Sequence, residues 1–171
     1  INHTTTNGSN SGHVQIYDVS NSTWTQVGSD IDGSAQDDQF GCSISLSDDG
    51  TTLVIGGKNN DTNGSNSGHV QVYKWNNFSW AILGNDFIGQ SSDDLFGNAV
   101  AINKAGTRVA IGAPSSDTTG VVQIHDLTAS FGSRYNGPTT YYNQPAITFS
   151  APNKYKFMIP TSTYTRTLQQ L

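Results

Sequence analysis

A ten-residue stretch, Thr6 to Gln15, returns letter for letter at Thr62 to Gln71. Around it, positions 6–57 and 62–113 are identical at 24 of 52 sites, every match displaced by 56 residues. A chain built this way folds as a series of like units, each burying an apolar face against the next. The 56-residue period exceeds a helical repeat and suits four strands of about 6–8 residues with their turns. Composition agrees: 18 glycines and many Ser, Thr and Asn residues interrupt short Val- and Ile-rich runs, as closely spaced strands and turns require.

Taken in order, the pattern predicts a strand over Gly12 to Asp18, with Val14 and Ile16 alternating, and a second over Ser22 to Gly28 carrying Trp24. A connection from Ser29 to Gln39 holds Asp30, Asp32, Asp37 and Asp38. In Phe40 to Ser47, the set Phe40, Cys42, Ile44 and Leu46 alternates with Gly41, Ser43, Ser45 and Ser47. That alternation predicts one buried apolar face and makes Cys42 a buried, inert thiol. Asp48-Asp49-Gly50 predicts a type I′ hairpin, and the Leu53-Val54-Ile55 run in Thr51 to Gly57 predicts burial on both faces. The series repeats at Gly68 to Trp75, Phe78 to Gly84, Phe96 to Ile102 and Thr107 to Ala113. One further strand, Gly120 to Asp126, follows a loop shorter by four residues.

The pattern divides the chain into repeats over 1–126 and a non-repetitive arm over 127–171. The arm gathers Tyr135, Tyr141, Tyr142, Tyr155 and Tyr164 with four of the five prolines, and short strands are expected at Ile147 to Phe149 and Tyr155 to Ile159.

Phe40-Gly41 followed by Val54-Ile55-Gly56-Gly57, and Phe96-Gly97 followed by Ala110-Ile111-Gly112-Ala113-Pro114, resemble the FG-GAP repeat, the blade motif of the integrin α-subunit β-propeller and of many extracellular proteins. The second copy carries both the Phe-Gly and Gly-Ala-Pro elements; the first has Gly56-Gly57-Lys58 in place of the latter. The resemblance covers about residues 12–126. It implies an all-β, propeller-type array of four-stranded blades, with Phe-Gly opening an inner strand and Gly68-His69-Val70-Gln71-Val72-Tyr73 beginning an outer pair. On that reading Phe40 to Gly84 is one blade, flanked by an outer half-blade and three strands of the next. Closed propellers take about four to eight blades, so the array is expected to be a piece of a longer one or to be finished by other subunits.

The resemblance also implies a calcium loop between the Phe-Gly and Gly-Ala-Pro strands. Here that loop is Ser47-Asp48-Asp49-Gly50 in one copy and Asn103-Lys104-Ala105-Gly106 in the other, short of the six to eight oxygens calcium takes. A plain turn is expected there. Asp37, Asp38, Asp93 and Asp94 precede Phe-Gly in both copies. They are candidate ligands for calcium or magnesium, set against the commoner role of accepting backbone N–H bonds in a turn.

A formal net charge of −5 supplies no field that attracts nucleic acid, and no apolar run approaches the length of a spanning helix. One cysteine cannot build a disulfide framework. His13 and His69 are equivalent strand positions expected to face solvent, and His125 takes the place of Tyr17 and Tyr73. Trp24 and Trp80 match at the repeat offset; with Tyr17 and Tyr73 they are candidate binding residues that could stack on sugars, against packing between blades as the ordinary role. Asn2, Asn7, Asn21, Asn60, Asn63 and Asn77 begin Asn-x-Ser/Thr sequons, which point to an extracellular or virion-surface setting. No catalytic arrangement is visible in the sequence. The expected role is a structural or adhesive component of an extracellular filament or virion-surface assembly, with other subunits or copies of itself as partners. The alternative is a carbohydrate- or protein-binding module of a receptor or adhesin.

Overall fold

A computed structural model describes residues 4–5, 7–20, 22–116, 119–127, 146–148 and 156–158. The chain forms two compact units, Ile1–Tyr141 and Tyr142–Leu171. In the second, Ala146–Thr148 and Lys156–Met158 pair antiparallel, Ile147 opposite Phe157; the clustered arm tyrosines lie outside the described residues.

The first unit is all-β, with no α-helix among the described residues. Its strands are β1 (Thr4–Thr5), β2 (Gly8–Ser9), β3 (His13–Val14), β4 (Tyr17–Ser20), β5 (Thr23–Gln26), β6 (Ile31–Asp32), β7 (Phe40–Leu46), β8 (Thr52–Gly57), β9 (His69–Trp75), β10 (Trp80–Ile82), β11 (Phe87–Ile88), β12 (Ala99–Ile102), β13 (Arg108–Ala113) and β14 (Val121–Asp126). The central sheet runs β10-β9-β8-β7, with β11 also on β9; a second runs β12-β13-β14. Ahead of them stand two ribbons, β3 with β6 and β4 with β5.

The expected strand over Gly12 to Asp18 is thus divided. Its copy β9 is continuous because β8 pairs along its whole length, from Thr52 opposite Lys74 to Gly57 opposite His69. Strands β3 and β4 have no such neighbour among the described strands, and each follows its own partner, β6 or β5.

Strand β8 is buried from Thr52 to Gly57 and serves two cores. Leu53 and Ile55 join Val14, Ile31, Phe40 and Tyr73 on one side; Val54 joins Val70, Val72, Phe96, Val109, Ile111, Ala113 and Leu127 on the other. The β3–β6 ribbon and the two sheets therefore stack face to face through alternating residues.

Strand β7 departs from its expected burial. Phe40 is buried, but Ile44 is 56% and Leu46 46% exposed, and Cys42 is exposed rather than a buried thiol. A bulge between Phe40 and Ser43 breaks the alternation, leaving Cys42 Sγ 3.4 Å from the Gly56 carbonyl. Beyond the bulge it is the serine face that meets the next sheet: Ser43 Oγ donates to the Gly97 carbonyl at 2.6 Å, and Ser45 Oγ accepts from Ile102 N–H at 3.1 Å.

The β7–β8 turn is not type I′, because among its residues only Gly50 has positive φ (68°). Asp49 instead accepts from the Ser47 hydroxyl and from the hydroxyl and N–H of Thr51. Those bonds, Ser47's first, hold its carboxyl well below the usual carboxylate range.

Candidate functional site

The repeated decapeptide lies at the seams between sheets. Gly12 bridges Phe40 and Gly68 bridges Phe96, both in parallel; Phe40 N–H donates to the Ser11 carbonyl and Phe96 N–H to that of Ser67. A Cβ on Gly12 or Gly68 would collide with the carbonyl oxygen of Phe40 or Phe96. Glycine is required because the two backbones touch there.

Both acidic pairs sit on the chain entering these seams. Asp38 is buried, and its Oδ2 accepts from Ser34 Oγ, Ala35 N–H and Asn60 Nδ2 at 3.0–3.1 Å. Asp94 is buried likewise, accepting from Gln90 and Ser91 N–H at 3.0 and 2.9 Å. The outer members, Asp37 and Asp93, are exposed at φ 65° and 63° and accept from Asn10 and Asn66 Nδ2, each at 2.9 Å. These carboxylates fold the loop. Among the described residues no three His, Cys, Asp or Glu side chains converge as a metal site would require.

The sequons divide by geometry. Asn7 Nδ2 donates to the Gly33 carbonyl, and Asn63 Nδ2 to those of Gly89 and Gln90. Asn60 is 5% exposed with its amide on Asp38, so a glycan cannot be attached there in the folded chain. Asn77 is exposed at the β9–β10 tip with φ 73°, and Asn2 and Asn21 lie outside the described residues.

A further recurring network joins Tyr, Gln and Asp. Tyr73 OH donates to Gln71 Oε1 at 2.7 Å, and Gln71 Nε2 donates to Asp86 at 2.9 Å. Tyr17, Gln15 and Asp30 repeat it, and His125 meets Gln123 at 3.0 Å in the tyrosine's place. Burial, then Asp86, pushes the Tyr73 hydroxyl up to about 12, which keeps it a donor. Sequence reasoning missed this network, although Gln15, Gln71 and Gln123 each stand three residues after an equivalent glycine, Gly12, Gly68 or Gly120.

The aromatic candidates behave unequally. Trp80 Nε1 donates to the Val27 carbonyl at 3.0 Å, its ring lies 5.5 Å from that of Trp75, and both border Gly28. Tyr73 is in the core. Their copies stand open: Trp24 is 70% and Tyr17 42% exposed, ring centroids 6.2 Å apart and edge-on. Trp80 fastens one sheet to the turn before it, whereas Trp24 presents the same group with no sheet ahead of it among the described residues.

His69 corrects the solvent-facing expectation. It is 3% exposed, edge-on to Phe40 with centroids 5.6 Å apart, and its Nε2 finds no hydrogen-bond partner among the described residues. Burial lowers its pKa, against opposing pulls from Asp86 and Asp38.

Residues 27–73 match the FG-GAP repeat family, a span from just after β5 into β9 that contains Phe40-Gly41 and Gly56-Gly57. No curated protein matches the chain. FG-GAP repeats occur in extracellular adhesion and binding proteins, and among the described residues no helix is long and apolar enough to cross a membrane.

Proposed function

We propose that this chain, which carries an FG-GAP repeat, is a non-enzymatic structural or adhesive part of an extracellular assembly, a filament or a virion surface, built from propeller-type blades. The observation that carries this reading is the contrast between Trp80 and Trp24. Trp80, half-buried, fastens its sheet to the turn before it by donating to the Val27 carbonyl, while Trp24, with Tyr17 beside it, offers the same fastening outward. A large, flat and polar-tipped ring left open is the usual anchor of a protein interface. The partner is another protein subunit presenting a Val27–Gly28 type of turn, a copy of this chain included.

A second reading has its own support. An exposed, edge-on Tyr17–Trp24 pair is suited to stacking on a sugar ring. Sedimentation velocity across a concentration series tests the first reading: self-association or capture of an assembly subunit, lost on Trp24→Ala, is expected. Assembly unaffected by Trp24→Ala would defeat it, and saturable quenching of Trp fluorescence by an oligosaccharide, absent in Trp24→Ala, would install the binding module instead.

A further inference from the structure

The repeated decapeptide contains an Asn-Gly pair in each copy, Asn7-Gly8 and Asn63-Gly64. In an open chain this pair reacts with itself, because the glycine nitrogen, unhindered by a Cβ, reaches the asparagine's own amide carbon. The new N–Cγ bond forms as Cγ–Nδ2 breaks, and the glycine's amide proton leaves with Nδ2 as ammonia. Water then opens the resulting succinimide at either C–N bond, to aspartate or to isoaspartate. Neither residue of the second pair is dispensable to the fold. Gly64 stands at φ 128°, and a Cβ on it would come 2.5 Å from Ser92 Oγ. Asn63 Nδ2 donates to the carbonyls of Gly89 and Gln90, at 2.9 and 3.0 Å, on the connection that leads to Phe96.

The same contacts keep the pair from reacting. Gly64 N–H, which must lose its proton to attack, donates to the Asp61 carbonyl at 3.2 Å, while Asn63 Nδ2 is held on the two carbonyls. Asn63 N–H is fixed too, on Ser67 Oγ at 3.3 Å. The side chain turns toward Gly64 N only when the joint opens and residues 89 and 90 let go. Conversion in the open state then opposes closing. A carboxylate is acceptor-only, so at position 63 it sets an oxygen against two carbonyl oxygens. Asp61 and Asp93, which accept from Asn66 N–H and Nδ2, add negative charge to the same loop. Isoaspartate also inserts a methylene into the backbone next to Gly64. We infer that Asn63 is a site of spontaneous, irreversible modification gated by the seam at Gly68–Phe96: the closed joint protects the amide, and an opened joint loses it and closes weakly thereafter. Asn7, on the Gly33 carbonyl with Gly8 at φ 109°, is the second instance.

Peptide-level mass spectrometry of the whole chain, held at mildly alkaline pH, tests the gate, with a synthetic peptide of residues 60–67 as the open reference. Asn63 is expected to convert at least about tenfold more slowly in the folded chain than in the peptide, and at the peptide's rate once urea unfolds the chain. Asp93→Gly, which removes the acceptor of Asn66 Nδ2 and suits the positive φ there, should raise the folded rate about threefold or more. Asn63→Asp isolates the effect of conversion. Its Tm should fall by about 5 °C, and amide exchange should quicken about tenfold at Asp93, Leu95 and Phe96, which donate to the Ser65, Asn66 and Ser67 carbonyls. Asn63→Ala, which removes the donor without adding charge, should fall between Asn63→Asp and the parent. Because Asn63→Asp can fail to fold, parent chain aged in urea, refolded and separated by its added charge is measured alongside. A folded rate equal to that of the peptide, or unchanged by Asp93→Gly, overturns the gate. Parent-like exchange at Asp93, Leu95 and Phe96 in both converted forms overturns the claim that the joint is weakened.

Discussion

Strands β7 and β12 are close copies in different surroundings. In β12, Val100 and Ile102 back onto a closed core; in β7, Ile44 and Leu46 stand in solvent. Trp80 and Trp24 divide in the same direction. The division follows position along the stack rather than residue type. An apolar side chain in a repeat is buried by the unit ahead of it, so the leading unit shows what the internal ones hide.

The most severe way to probe the comparison is truncation. Ile111→Ala, at a fully buried site, is expected to cost about 2–5 kcal/mol, and Ile44→Ala to stay within about 0.5 kcal/mol, both by urea unfolding. An equal loss at Ile44 would mean that its face is covered in solution.

The acidic pairs sharpen the contrast at a smaller scale. Asp38→Ala strands the Ala35 N–H together with Asn60 Nδ2 and the Ser34 hydroxyl, whereas Asp94→Ala strands the Gln90 and Ser91 N–H groups. Losses of about 1.5–3 kcal/mol are expected, the larger at Asp38; the reverse order in chemical denaturation would contradict the bonding described above.

The smallest effect concerns His69, whose place in the β12-β13-β14 sheet is taken by buried Val121. Its folded pKa is lowered by burial, so the unfolded chain binds the proton more readily. Stability is then full above the unfolded value of about 6.5 and is lost as pH falls through it toward the folded pKa. His69→Val should flatten that acid-side loss while changing neutral-pH stability by about 1 kcal/mol or less; His125, also lowered by burial, leaves some slope in place. A pH–Tm profile as steep in the variant as in the parent would exonerate His69.

The repeat and its strand-rich character were legible because periodicity and Gly/Ser/Thr punctuation are local signals. Burial at β7 was not, since alternation says which residues share a face but not whether anything covers it. The β7 bulge, which sets buried Phe40 apart from exposed Cys42, Ile44 and Leu46, and the short strands β6 and β11 depend on pairing across the sheet. His69 misled for a related reason: on strand β9 its fate is set by Phe40, far away in sequence. Asp37, Asp38, Asp93 and Asp94 were visible as a motif, but the donors they accept from in the loop are visible only in the structure.

The seams at Gly12–Phe40 and Gly68–Phe96 are the same junction made twice, with the same glycine, the same carbonyl and the same asparagine bonds. Duplicating a 56-residue block in the gene would therefore lengthen the protein without a single new contact having to be evolved. Point changes have no such freedom, because any side chain at Gly12 or Gly68 parts two backbones at once. Such a chain varies more cheaply in its number of units than in the sequence of its joints.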